Sequence, residues 1–134
     1  MPDSFTFRWA ILSDYAGQDE SGKIVIAGGY TEDLVFQTAP KEMPEVTMTI
    51  CIAPKVPEFR LEMVLARASG EALFRATGTM IADGETGPRD RATFRMPFPK
   101  VKFPGEGVYQ ILLGDNPESL EPVHEFAMIV SPEE

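Results

Sequence analysis

Apolar residues recur at every second position along most of the chain, which is the period of a β-strand with one buried face. In residues 45–53 the predicted inner face holds Val46, Met48, Ile50 and Ile52. In residues 58–66 it holds Phe59, Leu61, Met63 and Leu65. The side chains between them are more polar, so each strand is predicted to have one face in a core and one in water.

The first segment, SFTFRWAILSDY, follows the same pattern. Its predicted inner face is formed by Phe5, Phe7, Trp9 and Ile11. Ala10 and Leu12 also make its second half apolar on the other face, which suggests a strand covered on both sides. Residues 23–30, KIVIAGGY, are predicted to return antiparallel to it as the second strand of a hairpin.

Further strands are predicted over residues 71–81, 92–96, 107–114 and 124–130, with Gly78 marking a bulge or a close backbone approach. About eight strands at this spacing predict an all-β, immunoglobulin-like antiparallel β-sandwich, with a small partly open β-barrel as the alternative. Only residues 31–43 have a pattern that fits a helical turn. The whole chain, 1–134, is predicted to be one domain with an ordered core from about residue 4 to residue 131.

The stretch FPGEGVYQILL places a Pro/Gly corner before an apolar strand. In immunoglobulin-like sandwiches a corner tyrosine stands near the start of the penultimate strand, two residues before a core position, and Tyr109 with Ile111 has this spacing. Trp9 lies on the first predicted strand and not on the third, so the antibody Cys-Trp-Cys core is absent.

The net charge and the cysteine content limit the partners and the cellular location that the sequence predicts. The chain has 12 basic and 21 acidic residues, a net charge of −9, which repels phosphate backbones and anionic lipid. Neither nucleic acid nor membrane is therefore a predicted partner. A secretory signal is not recognisable, and the single cysteine, Cys51, forms no internal disulfide, so a cytoplasmic location is predicted.

GQDESGKI, residues 17–24, has the spacing of a phosphate-binding loop but ends in Ile24 where a Ser or Thr would ligate magnesium. The residues that follow alternate as a strand, so no helix N-terminus faces a phosphate. We interpret the segment as a hairpin loop with Gly22 at a positive φ.

Acidic loops suggest a cation site as an alternative. The candidate ligands are Asp19 and Glu20 in the first loop and Asp83 and Glu85 in a later one. None of these segments has the ligand spacing of a calcium loop, and Asp-Gly pairs are ordinary turn chemistry. No metal or other cofactor is predicted, and the four residues are retained as weak candidates.

His124 and Cys51 are the candidates for nucleophilic catalysis. His124 is predicted to share a strand face with Phe126, and free cysteines usually behave as small buried hydrophobes, so no catalytic residue is predicted. Function is predicted to be a non-catalytic binding or assembly module with a protein partner or self-association. A calcium- or small-ligand-binding sandwich and a small hydrolase are the alternatives.

Two stretches, WAILSDYAGQDESGKIVIAGGY and FPGEGVYQILLGD, resemble a family of small bacterial and phage-encoded proteins of unknown function. The shared features are a Gly-Lys turn between two strands and a Gly-aromatic pair. The resemblance implies a single-domain β-sandwich and no catalytic residues. The positions predicted to be structural are Trp9, Gly22, Gly28, Gly107 and Tyr109.

Overall fold

Nine strands, and no helix, make up the regular structure of the residues that the computed structural model describes. These are residues 3–18, 20–21, 24–30, 33–36, 38–42, 46–81, 92–98, 102 and 104–131. The strands are β1 (Phe5–Gln18), β2 (Ile24–Tyr30), β3 (Leu34–Phe36), β4 (Thr47–Pro54), β5 (Glu58–Arg67), β6 (Ala72–Ile81), β7 (Ala92–Pro97), β8 (Gly107–Gly114) and β9 (Glu121–Val130). The all-β prediction is confirmed.

The strands form two sheets that enclose one core. The front sheet has the order β2-β1-β4-β7, and the back sheet has the order β3-β9-β8-β5-β6. Neighbouring strands are antiparallel except β3 and β9, which are parallel. Buried side chains from both sheets, among them Met48, Ile50, Met63, Ile111 and Met128, form one cluster. This is the predicted sandwich, with nine strands where about eight were expected.

The central strands are buried on both faces, which the alternation did not predict. On β4 the inner residues are buried as expected, but Thr49 and Cys51 on the outer face are also covered. Arg95 of β7 crosses over β4 and donates to the carbonyl oxygen of Ala16 in β1 at 3.2 Å. On β5, Glu62 is buried beside Arg60, with 2.8 Å between their charged atoms. Long side chains, from a neighbouring strand over β4 and from the same strand on β5, thus exclude water from faces predicted to be wet.

Trp9 is on the outer face, so its predicted inward orientation is wrong. Phe7 pairs with Ile52 and Trp9 with Cys51, which leaves Arg8 as an extra residue in β1. Such a β-bulge reverses which side chains point inward, because the side-chain period of a strand is two. After the bulge, Leu12 is fully buried and Trp9 is 42% exposed. Ile11, predicted to face inward with Trp9, is on the outer face for the same reason.

Two other local predictions are also corrected. Residues 34–36, inside the segment that fitted a helical turn, form β3, whose Leu34 is buried against the core. The carboxylate of Asp33 holds this strand beside β9 by accepting the Ala127 backbone N–H at 2.9 Å. Gly78 lies in a regular ladder opposite Leu61, and a Cβ built on it would meet nothing within 4 Å. It therefore marks neither a bulge nor a close approach.

GQDESGKI is the hairpin connection that was predicted. β1 and β2 pair antiparallel, and Gln18 and Ile24 form the last pair before the loop. Gly28 lies within β2. Gly22 lies outside the described residues, so its positive φ stays a prediction.

The turn before β8 has the geometry of a tyrosine corner. The Tyr109 hydroxyl donates to the carbonyl oxygen of Gly105, four residues upstream. Gly105 and Gly107 have φ angles of 109° and 149°, a region that L side chains rarely adopt. Arg67 of β5 donates to the Pro104 and Glu106 carbonyl oxygens at 3.0 and 2.9 Å, and its guanidinium lies 5.5 Å from the centre of the Tyr109 ring.

Candidate functional site

The two residues considered for nucleophilic catalysis lie in different layers of the sandwich. Cys51 alternates with the core residues Ile50 and Ile52, so it faces outward from the front sheet, where it is 2% exposed. His124 is in β9 of the back sheet and shares its inner face with Phe126, with ring centres 6.0 Å apart. The structure therefore does not join these two groups into a nucleophile and base.

His124 has an apolar environment. Its Nε2 atom is buried and has no hydrogen-bond partner. Burial lowers the pKa of His124, because a charged imidazolium is poorly solvated there. This imidazole is thus a neutral packing group at neutral pH.

Acidification is expected to destabilise the protein through His124. Since its folded-state pKa lies below the unfolded value of about 6.5, the unfolded state binds the proton first, and stability is lost as pH falls below that value. Thermal unfolding should give a lower Tm at about pH 5.5 than at about pH 7.5. His124 is the only histidine, so His124→Leu should flatten the change over this interval. If the Tm of His124→Leu changed with pH as much as the Tm of the wild type, His124 would not be the source of the pH dependence.

Of the four acidic residues considered for a metal site, only Glu20 lies within the described part of the chain. Glu20 is exposed in the β1-β2 loop, and Asp19, Asp83 and Glu85 lie outside the described residues. Within the described ranges, no group of three or more His, Cys, Asp or Glu side chains has the spacing to hold a metal ion. That no metal binds here, with these four residues as weak candidates, thus stays a prediction.

Asp115 has a structural role in the turn between β8 and β9. Its Oδ2 accepts hydrogen bonds from the backbone N–H groups of Asp3 and Ser4 and from the Ser4 hydroxyl, at 3.1, 3.2 and 2.9 Å. Its Oδ1 accepts from the Ser119 hydroxyl at 2.6 Å. Burial raises the pKa of Asp115, but the hydrogen bonds from Ser119, Ser4 and Asp3 outweigh it and hold the pKa below its usual value. This carboxylate ties the start of β1 to the β8-β9 turn.

A pocket between the two sheets lies beside Phe5. It has a volume of about 180 Å³ and is lined by Phe5, Thr6, Phe7, Lys55, Leu113, Glu121 and Val123. Pockets that enclose a drug-sized ligand usually measure about 300 to 1,000 Å³. Neither His124 nor Cys51 lines this pocket, so it does not combine a cleft with a nucleophile or a base.

A second groove lies between β6, the outermost strand of the back sheet, and β7, the outermost strand of the front sheet. We call the groove between these two strands the open side. Its volume is about 100 Å³, and its lining is Leu61, Met63, Ala76, Thr77, Gly78, Met80, Phe94 and Met96. No strand among the described residues pairs with the outer edge of β6 or of β7. Backbone donors and acceptors along both edges therefore flank an apolar groove containing three flexible methionines.

The two strands of the open side also differ from the others in charge. β6 and β7 carry one arginine each, Arg75 and Arg95, and no Asp or Glu. The other seven strands are each neutral or negative by formal charge. The guanidinium of Arg95 reaches across β4 to Ala16, so Arg75 supplies the positive charge at the edge of β6.

A model of a family of unknown function, DUF6941, matches residues 8–121. The chain belongs to this family. The DUF6941 match runs from β1 to the first residue of β9, so it includes both strands of the open side and the tyrosine corner. An uncharacterised family was the expectation from the sequence. No curated protein matches the chain significantly.

Two features of this DUF6941 protein were not predicted from its sequence: the contacts of Arg67 and the open side. Arg67 stabilises the tyrosine corner through its hydrogen bonds to the carbonyl oxygens of Pro104 and Glu106. Nothing in the local sequence distinguishes it from any other arginine at the end of a strand. The open side depends on which strands end each sheet, and strand alternation does not specify strand order. The lack of Asp and Glu in residues 72–81 does not distinguish this strand, because residues 46–57 and 91–105 also contain neither.

Proposed function

We propose that this DUF6941 protein is a non-catalytic binding module that receives an extended peptide strand at its open side. The observation that carries the proposal is the outer edge of β6, a ten-residue strand that pairs there with no other described strand, next to a methionine-containing apolar groove. In strand addition, backbone hydrogen bonds supply affinity, and alternate side chains of the added strand enter pockets. The open side offers both kinds of contact.

The edge of β6 has little of the protection that proteins give to exposed strands. Proteins commonly protect such edges with a proline, with an inward-pointing charged residue or by keeping the edge strand very short. β6 contains no proline, and its inward positions are Phe74, Ala76, Gly78 and Met80. An edge of this length with an apolar inner face is suited to pairing with another strand.

We further infer that the sandwich is immunoglobulin-like. The orders β1-β4-β7 and β6-β5-β8-β9 agree with the strand orders A-B-E and C′-C-F-G of that architecture. The corner formed by Tyr109 at the start of β8 also supports this proposal. A cytoplasmic location is proposed as well, supported by the one free, buried thiol of Cys51.

The function can be tested by selecting displayed random peptides of about twelve residues on the immobilised full chain, a length that covers β6. Gly78→Val places a side chain in the groove without a steric clash, because nothing lies within 4 Å of its Cβ. Thr79→Val introduces the same side chain one residue away, on the outer face. Wild type and Thr79→Val should enrich peptides that Gly78→Val does not retain.

Circular dichroism and Tm should show that both variants remain folded, since valine favours strands. Failure to enrich any peptide, or equal retention by Gly78→Val, would contradict strand addition at the open side.

A further inference from the structure

We infer, on the basis of the proposed strand addition, that the partner strand pairs with β6 and carries an acidic side chain opposite Arg75. Its alternate positions are apolar and face the groove. The partner is thus an extended, amphipathic, acidic segment of another protein.

Length and composition select β6 over β7. β6 has ten residues without proline, whereas β7 has six and ends at Pro97, which has no backbone N–H to donate. Each added residue pair contributes to the ladder, so the longer edge binds an extended segment better.

The two faces of β6 specify what the added strand should contain. On the inner face, Phe74, Ala76 and Met80 are half-buried, and Gly78 leaves open space beside them. On the outer face, Arg75, Thr77 and Thr79 are exposed. Because neighbouring strands place paired side chains on the same face, the partner presents apolar residues inward and polar residues outward.

Arg75 supplies the charge preference. It is the only charged residue of β6, and it has no ion-pair partner among the described residues. Opposite charges directly across two strands attract, and like charges repel. Beyond the Debye length of about 8 Å, the net charge of the chain is largely screened at physiological salt, so the local arginine decides the preference.

Charge complementarity also argues against a second copy of this chain as the occupant. Within the described ranges, the strands that end the two sheets are β2, β3, β6 and β7, and their sequences contain no Asp or Glu. None of them offers an acidic side chain to Arg75. The negatively charged strand, β9, pairs with β8 on one side and with β3 only at residues 128–130, and in its remaining stretch Pro122 has no backbone N–H to donate to an added strand.

The test uses two fluorescent peptides of about ten residues that alternate apolar residues with either Glu or Lys, the length of β6. Fluorescence anisotropy with the full chain should show about tenfold tighter binding of the Glu peptide at moderate salt. Arg75→Glu should invert this preference. Arg95→Glu makes the same change in net charge on the outer face of β7 and should leave the preference intact.

Each other result has a defined meaning. If Arg95→Glu inverts the preference, the strand pairs with β7 and the inference is wrong. If both peptides bind equally and Gly78→Val blocks both, strand addition holds and the acidic preference is wrong. If neither binds and the random library also fails, the proposed function itself is wrong. Light scattering that shows a dimer abolished by Gly78→Val would assign the open side to a second copy and overturn the inference.

Discussion

Replacing Tyr109 by alanine is expected to lower the free energy of unfolding by about 4 kcal/mol. The side chain is fully buried, and its ring stacks on Phe126 with 5.8 Å between the ring centres. Its hydroxyl donates a hydrogen bond to the carbonyl oxygen of Gly105. The guanidinium of Arg67 lies over the Tyr109 ring, 5.5 Å from its centre. Alanine would remove all three interactions and leave a cavity in the core beside Phe126.

The smaller change Tyr109→Phe isolates the corner hydrogen bond and should cost about 1 kcal/mol, because the ring is kept. Burial raises the pKa of Tyr109, an effect only partly offset by Arg67, so the hydroxyl stays protonated and remains a donor. Urea unfolding followed by circular dichroism measures both variants. A Phe variant as unstable as the Ala variant would mean that the hydrogen bond, and not packing, dominates.

Gly114→Ala is expected to destabilise the protein by about 3 kcal/mol, through overpacking and lost hydrogen bonds. A Cβ at this position would lie 2.9 Å from the Ser119 carbonyl carbon, its oxygen and its Oγ. Ser119 cannot move freely, because its hydroxyl accepts from the Asp115 and Asn116 N–H groups at 3.0 and 3.2 Å and donates to the Asp115 carboxylate. The added methyl group must therefore distort the β8-β9 turn.

The matched control is Gly78→Ala, which adds the same methyl group in β6, where nothing lies within 4 Å. Its free energy of unfolding should be unchanged or higher by up to about 1 kcal/mol, because alanine has less backbone freedom to lose. Urea midpoints of the two variants give the comparison. Similar destabilisation by both would show that the loss of glycine, and not the contact with Ser119, is responsible.

Strand positions were predictable because burial of one face imposes a period of two on residues such as Met48, Ile50 and Ile52. The inversion at Trp9 was not, since one inserted residue, Arg8, changes the face without changing composition. β3 was missed because three residues are too short to show any period; Asp33 and the core contact of Leu34 hold it in place.

The candidate site was less predictable than the strands. The sequence directed attention to residues with reactive groups, Cys51 and His124, which the fold places in different layers. The open side has no such group. It results from the order of strands within each sheet, which depends on long-range pairing, for example between Leu65 and Ile111.

That same order of strands has a kinetic consequence. Among the described strands, the β1-β2, β5-β6 and β8-β9 pairs join strands that are consecutive in the chain. The pairs β1-β4, β4-β7, β5-β8 and β3-β9 join distant ones. Closing long loops costs entropy before any contact offsets it, so a fold of this topology is expected to form in milliseconds to seconds. The three hairpins are expected to form locally and rapidly, and the long-range pairing of β4 with β1 and β7 is expected to limit the rate.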